Sequence, residues 1–385
     1  MQNEKELYTK INGVIKKKSG LHEPTFDHLD IHEISKCVKS SFVSTYGKYV
    51  TKFENLLKKY TKSKYVIATN TGTAALHIAL KIAGVKKDTN VLLPTLSFVA
   101  TGNCVIYNEA NPIFLDSSEH SFCLDETKLE DYLSKETILY KKKRYAKYNN
   151  KIISAIIITH VFGNSSDIKK IINIAKKYSI PVVEDCAEGL GSFYKEKHLG
   201  TYGDVGVLSF NGNKIITSGS GGAIITNSKK KYLEALHLVS VAKVKHKWSF
   251  FHDRLGWNYR INSLSASLGY SQLKKIKTIL KKKKILHKKY KVQFKNDKNF
   301  KIIDLDNTKN LRSNHWLTAM QINTKYISKN KVLDYLNQKG FQCRPIWNLL
   351  HTLPYFSQYK SYKIENSKKL FNSVILLPSS AKLIK

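Results

Sequence analysis

Lysine condenses with carbonyl compounds, and the run from Ser209 to Gly222, SFNGNKIITSGSGG, sets Lys214 in a polar, glycine-rich stretch between two apolar, strand-like segments. With 60 lysines and 5 arginines in the chain, Lys214 has no special claim by itself. Its claim depends on what other segments can place around it. The run PVVED ends on Asp185, and a carboxylate at the end of a buried strand is costly unless it is paired with a cation or hydrogen-bonded. The run YVIATN leads into TGTAAL, where Thr71, Gly72 and Thr73 offer hydroxyls and free N–H groups at a helix N-terminus, a ready anion site. NVLLP is followed by Phe98 in TLSFVATGN, an aromatic able to cover a flat ring. Each also has a plain structural use: Thr71 as a helix cap, Asp185 as a turn carboxylate, Phe98 as core.

The elements that must position these residues are legible as a pattern. From about 60 to 230, short β-branched runs alternate with amphipathic helical periods, which indicates a largely parallel α/β sheet covered on both faces. In such sheets ligands sit at the carboxyl ends of the strands, where these residues fall. The polar stretch 136–151, ETILYKKKRYAKYNNK, reads as an inserted loop. After 260 one long helical pattern suits an interdomain helix, and the tail from about 290 mixes short strands and helices as a smaller domain would. The boundaries expected are an N-terminal segment at 1–20, a large domain at 21–250, and the interdomain helix with a small domain at 251–385.

Composition limits the function classes. The formal net charge is +36, but basic residues are spread along the whole chain and arginine, the preferred reader of phosphates and bases, is scarce. No zinc-finger or RRM signature is present, so a specific nucleic-acid partner is not expected. Five scattered cysteines without a CxxC pair argue against a disulfide framework or a metal site. The apolar run IISAIIITHVFG is too short to span a bilayer, and residues 1–20 lack a signal-peptide pattern. A soluble, cytoplasmic protein without membrane insertion is the expectation.

A phosphate at a helix N-terminus, an aromatic over a ring, a carboxylate for a ring nitrogen and a lysine for an aldehyde together describe pyridoxal 5′-phosphate. The ordered blocks NTGTAAL, PTLSFVATGN, HVFG, VVEDCAEGLGS, SFNGNKIITSGSGG and GWNYRINSLSASLG resemble the DegT/StrS family of sugar-nucleotide aminotransferases. With LHEP near the start and RPIWNLLHTLPYF and LLPSS near the end, the resemblance covers nearly the whole chain. It implies a fold-type I enzyme with a seven-stranded, mostly parallel sheet, a smaller C-terminal α/β domain, and a homodimer with shared active sites. It also implies that Lys214 forms the internal Schiff base, that Asp185 pairs with the pyridinium nitrogen and that Phe98 stacks on the ring. Gly72, Thr73 and Ser209 would hold the phosphate, with Asn258 and Arg260 of GWNYR reaching it from the neighbouring subunit. Glu188, where many members carry His or Gln, would lie near the ring and the sugar. Arg344 and His351, in RPIWNLLH, are candidates for substrate contacts.

The activity implied is transfer of an amino group from L-glutamate, released as 2-oxoglutarate, to a keto sugar. Several blocks resemble the branch that aminates C4 of UDP-4-keto-6-deoxy-N-acetylglucosamine for legionaminic-acid-type and bacillosamine-type glycans. Perosamine synthases, which act on a GDP-linked 4-keto sugar, share the SFNGNKIIT signature and are the alternative. A reading from another class, a basic nucleic-acid-binding or regulatory protein on a retired scaffold, is disfavoured by the retained Lys214 and Asp185.

Overall fold

The computed structural model describes residues 2–304 and 310–384. Its largest sheet has eight strands. In spatial order they are Tyr65–Thr69, Gly222–Thr226, Val205–Ser209, Val182–Asp185, Ile153–Thr159, Asn90–Pro94, Asn111–Leu115 and Ser361–Tyr362. Gly222–Thr226 runs antiparallel to both neighbours, and every other pairing is parallel. Asn90–Pro94 and Ile153–Thr159 are buried along their whole length, as expected for strands covered by helices on both faces. The sheet thus has one strand more than the seven expected. The addition is the two-residue Ser361–Tyr362, which comes from the C-terminal region and adds to the edge beside Phe114 and Leu115. It is too short to leave a periodic signal in the sequence.

Helices pack on both faces. The helix Gly72–Ala83 is buried along most of its length; Thr71 caps its start and Gly84, at φ +105°, ends it. Helix Ile168–Lys177 turns Ile168, Ile171, Ile174 and Ala175 inward and carries its lysines outside. A second, four-stranded sheet, in the order Phe300–Ile302, Thr318–Ile322, Val374–Leu377 and Arg344–Pro345, has its own core. The N-terminal helix Gln2–Ile15 joins that core through Leu7, Ile11, Val14 and Ile15.

Two local expectations change. The stretch 136–151 is not a loop but a hairpin, Thr137–Tyr140 paired with Lys143–Ala146. Its turn residues Lys141 and Lys142 both have positive φ, a conformation that Asn-Gly would announce and Lys-Lys conceals. The long helix after 260 is two helices, Ser263–Lys274 and Ile276–Gln293, that meet at Lys275. No glycine or proline marks the break. It coincides with an ion-pair site in which Lys275 Nζ meets Asp27 Oδ2 at 3.0 Å and also contacts Asp30.

Candidate active site

The ends of five strands of the large sheet and the loop that carries Lys214 converge on a cavity of about 290 Å³, lined by Gly72, Thr73, Phe98, Asp185, Glu188, Ser209 and Lys214 among others. Asp185 closes the strand Val182–Asp185. Its Oδ2 accepts from the Thr101 hydroxyl at 2.8 Å, and its Oδ1 accepts from Ala187 N at 3.2 Å. Thr101 in turn shares a hydrogen bond of 2.7 Å with Ser97. The preceding residue, Glu184, is fully buried, which favours its neutral form. His160 Nε2 at 2.9 Å and the N–H groups of Gly200, Tyr202 and Gly203 outweigh that and hold its carboxyl below the usual range. This web fixes the strand end and with it the direction of Asp185.

The anion site is built by close packing. The Thr71 hydroxyl takes the N–H of Ala74 at 2.9 Å, and Gly72 and Thr73 lie along the cavity wall at the positive end of the helix. A Cβ on Gly72 would stand 2.8 Å from the Cβ of Ser209, so only glycine lets the helix start approach the neighbouring strand end. The Ser209 hydroxyl is thereby brought beside the same N–H groups.

Lys214 projects from the loop after Val205–Ser209. Its Nζ lies 3.3 Å from Glu188 Oε1 and 4.1 Å from the centre of the Trp316 ring. Trp316 Nε1 is anchored on the Asn213 carbonyl at 2.7 Å. Burial pushes Glu188 up to about 7, opposed by Lys214 and by the Phe162 N–H, which donates to its Oε2 at 2.8 Å. Phe98 is 52% exposed at the start of helix Val99–Tyr107, with its ring edge-on to Trp347 at 6.2 Å. It is therefore not a core residue.

The other sequence candidates lie elsewhere in the chain. Asn258 is exposed, with its carbonyl 3.5 Å from Asn70 Nδ2, and Arg260 pairs with Glu54 at 3.3 Å; neither lines the cavity. Arg344 lines a second, outer cavity of about 790 Å³, where it donates to Asn337 Oδ1 at 3.0 Å. Ser97, Phe98, Asn213, Trp316 and Trp347 line both cavities, so the two adjoin. His351 hydrogen-bonds Thr95 at 2.7 Å and lines neither. Thr101, His160, Trp316 and Trp347 were missed in the sequence. The NHW and PIW runs were the available signals for the two tryptophans, and nothing local distinguished Thr101.

The model of the DegT/DnrJ/EryC1/StrS aminotransferase family matches residues 24–385. The chain belongs to that family. Among curated relatives it is similar to the GDP-perosamine synthase of Escherichia coli O157:H7, 30% identical over 89% of each chain. It is 31% identical to the UDP-4-amino-4,6-dideoxy-N-acetyl-beta-L-altrosamine transaminase of Campylobacter jejuni strain 81-176, over 91% of this chain and 90% of the other. Its fold is that of Helicobacter pylori PseC, an aminotransferase involved in the biosynthesis of pseudoaminic acid, with a TM-score of 0.86 at 23% identity over 95% of this chain and 94% of that one. The protein is a fold-type I aminotransferase, and its cofactor is pyridoxal 5′-phosphate.

The residues around the inner cavity fit that cofactor. A half-buried carboxylate with fixed direction, an amine, and a helix N-terminus packed too tightly for any side chain at Gly72 supply complements to a ring nitrogen, an aldehyde and a phosphate.

Proposed function

We propose that this enzyme transfers the amino group of L-glutamate to C4 of a UDP-4-keto-6-deoxy-N-acetylglucosamine-type sugar, for surface-glycan or nonulosonic-acid synthesis. The observation that carries the reading is the pairing of the Lys214–Asp185 cavity with a larger, aromatic-walled outer cavity that adjoins it. A small amino acid needs only the inner space. The outer one, walled by Trp316, Trp347 and Tyr355 with Arg344 present, suits a bulky anionic sugar nucleotide.

When bound, pyridoxal phosphate supplies an aldehyde that takes up the amino group and a ring that accepts the electron pair of the adjacent carbon. Asp185 holds a proton at the ring nitrogen, and Gly72, Thr73 and Ser209 hold the phosphate. Phe98, on the cavity wall, would cover the ring. The Lys214 amine is the mobile base and acid that moves the proton between the carbons of donor and product. Glu188, with a carboxyl poised near 7, sets the charge that this amine faces.

The enzyme works as a homodimer with shared sites, in which Asn258 and Arg260 reach the partner's phosphate pocket. Their position outside their own cavity supports this, as do the exposed Trp248, Phe250, Phe251 and Leu255 in the segment just before them. Similarity to GDP-perosamine synthases supports a second reading, a GDP-linked 4-keto sugar as acceptor. The two separate in kcat/KM for UDP-4-keto-6-deoxy-N-acetylglucosamine and GDP-4-keto-6-deoxymannose at sub-saturating concentration. A site that hydrogen-bonds a C2 acetamido group rejects the C2 hydroxyl analogue. Preference for the GDP sugar would replace the first reading with the second.

A further inference from the structure

His22 stands in the LHEP run at 21–24, on the wall of the outer cavity with Asn213, Trp316 and Arg344. Its ring centre lies 6.4 Å from that of Trp316, the ring that also carries the Lys214 amine on its face. The backbone on both sides of His22 is tied down. Ser379 N donates to Leu21 O at 2.7 Å, and Glu23 N donates to Ser380 Oγ at 2.8 Å. The buried Lys283 amine joins the segments beside it by donating to Trp316 O at 2.6 Å and to Ser379 O.

A residue fixed this firmly nevertheless leaves both ring nitrogens out of contact with solvent and without a hydrogen-bond partner among the described residues. The Asn213 backbone favours its protonation but lies outside hydrogen-bonding geometry. Orphaned buried polar atoms are costly and uncommon, and here they belong to a side chain that lines a cavity large enough for a ligand.

We propose that His22 is a specificity-determining residue for the amino acceptor, hydrogen-bonding an uncharged polar group of the sugar, a hydroxyl or an amide. Burial, and then the positive charges of Lys283 and Lys214, hold its imidazole well below the usual range, so it presents one N–H donor and one lone pair. A neutral ring of that kind suits the sugar's hydroxyls and amides, whereas carboxylates and phosphates call for a cation such as Arg344. His22 lines the outer cavity and not the inner one, which places it on the acceptor rather than on the cofactor. The inference rests on the reading of this enzyme as a sugar-nucleotide aminotransferase.

The test compares wild-type holoenzyme with His22→Phe and His22→Gln, measuring kcat and KM for both 4-keto sugars and KM for glutamate. His22→Phe should lower kcat/KM for the preferred sugar roughly ten-fold or more, chiefly through KM. His22→Gln, which keeps a neutral donor and acceptor, should recover the greater part of it. Should the phenylalanine variant not fold, His22→Ala carries the same comparison. Equal sugar kcat/KM in wild type and variant would overturn the proposal. So would no recovery with glutamine, or an equal rise in KM for glutamate together with a lowered melting temperature. A wild-type enzyme that turns over neither sugar would remove the proposed function and this inference with it, a result distinct from the others.

Discussion

At Lys214 the amine has two close neighbours, the Glu188 carboxylate and the Trp316 ring, and each holds it over the inner cavity. Replacement of Lys214 by alanine should lower transamination by roughly 10²–10⁴-fold or more, the range of a lost general acid–base group, while far-ultraviolet circular dichroism stays unchanged. Parent-level turnover would move the role to another lysine. Asp185→Asn should still bind cofactor but lose on the order of 10²–10³-fold in kcat, because an amide cannot hold the proton at the ring nitrogen. Glu188 gives a pH test. Its carboxyl is raised to about 7 in the fold from 4.5 in the unfolded chain, so stability relative to Glu188→Gln is full below pH 4.5 and is lost as pH rises through 7. Without cofactor, the stability advantage of Glu188→Gln should grow by roughly 2 kcal/mol between pH 5 and pH 8, read as a widening gap in melting temperature. A constant gap would refute the raised carboxyl. Lys214, Asp185 and the Gly72–Thr73 turn were legible because chemistry and strand-end position coincide in the sequence. Thr101 and Trp316 were not, because they reach the site through tertiary contacts from the middle of ordinary segments.

Among the elements, the start of helix Gly72–Ala83 is the most constrained. Gly72→Ala forces a methyl against Ser209, whose Cβ cannot rotate away. Weaker cofactor binding, by about 1–3 kcal/mol, should follow in an absorbance titration. Unchanged affinity would mean that the helix start does not hold the phosphate. Other elements show where periodicity fails as a guide. The buried strands announced themselves as β-branched runs. The hairpin at 137–146 was hidden by a turn of two lysines, and the break at Lys275 by a sequence that favours helix throughout. In the first case the geometry follows backbone pairing, and in the second the break coincides with a distant ion pair; no local pattern encodes either.

For the whole molecule, the charge of +36 and the shared-site proposal are the features that one chain's pattern describes least. No helix among the described residues is long and apolar enough to cross a membrane, and all five cysteines are buried and free. Mixing Lys214→Ala and Asn258→Ala chains, each impaired alone, should partly restore activity, since each mixed dimer would carry one intact site. Subunit exchange seen by mass spectrometry without any gain in activity would place Asn258 outside the partner's site. The central claim, that the Lys214 cavity moves an amino group from an amino acid to a sugar nucleotide, is tested most directly by following the nitrogen. With ¹⁵N-glutamate, UDP-4-keto-6-deoxy-N-acetylglucosamine and the holoenzyme, NMR should find ¹⁵N bonded to C4 of the hexose, and Lys214→Ala should give at most a trace over the same time. A sugar nucleotide recovered without ¹⁵N, or one labelled equally by the Lys214→Ala variant, would contradict the account.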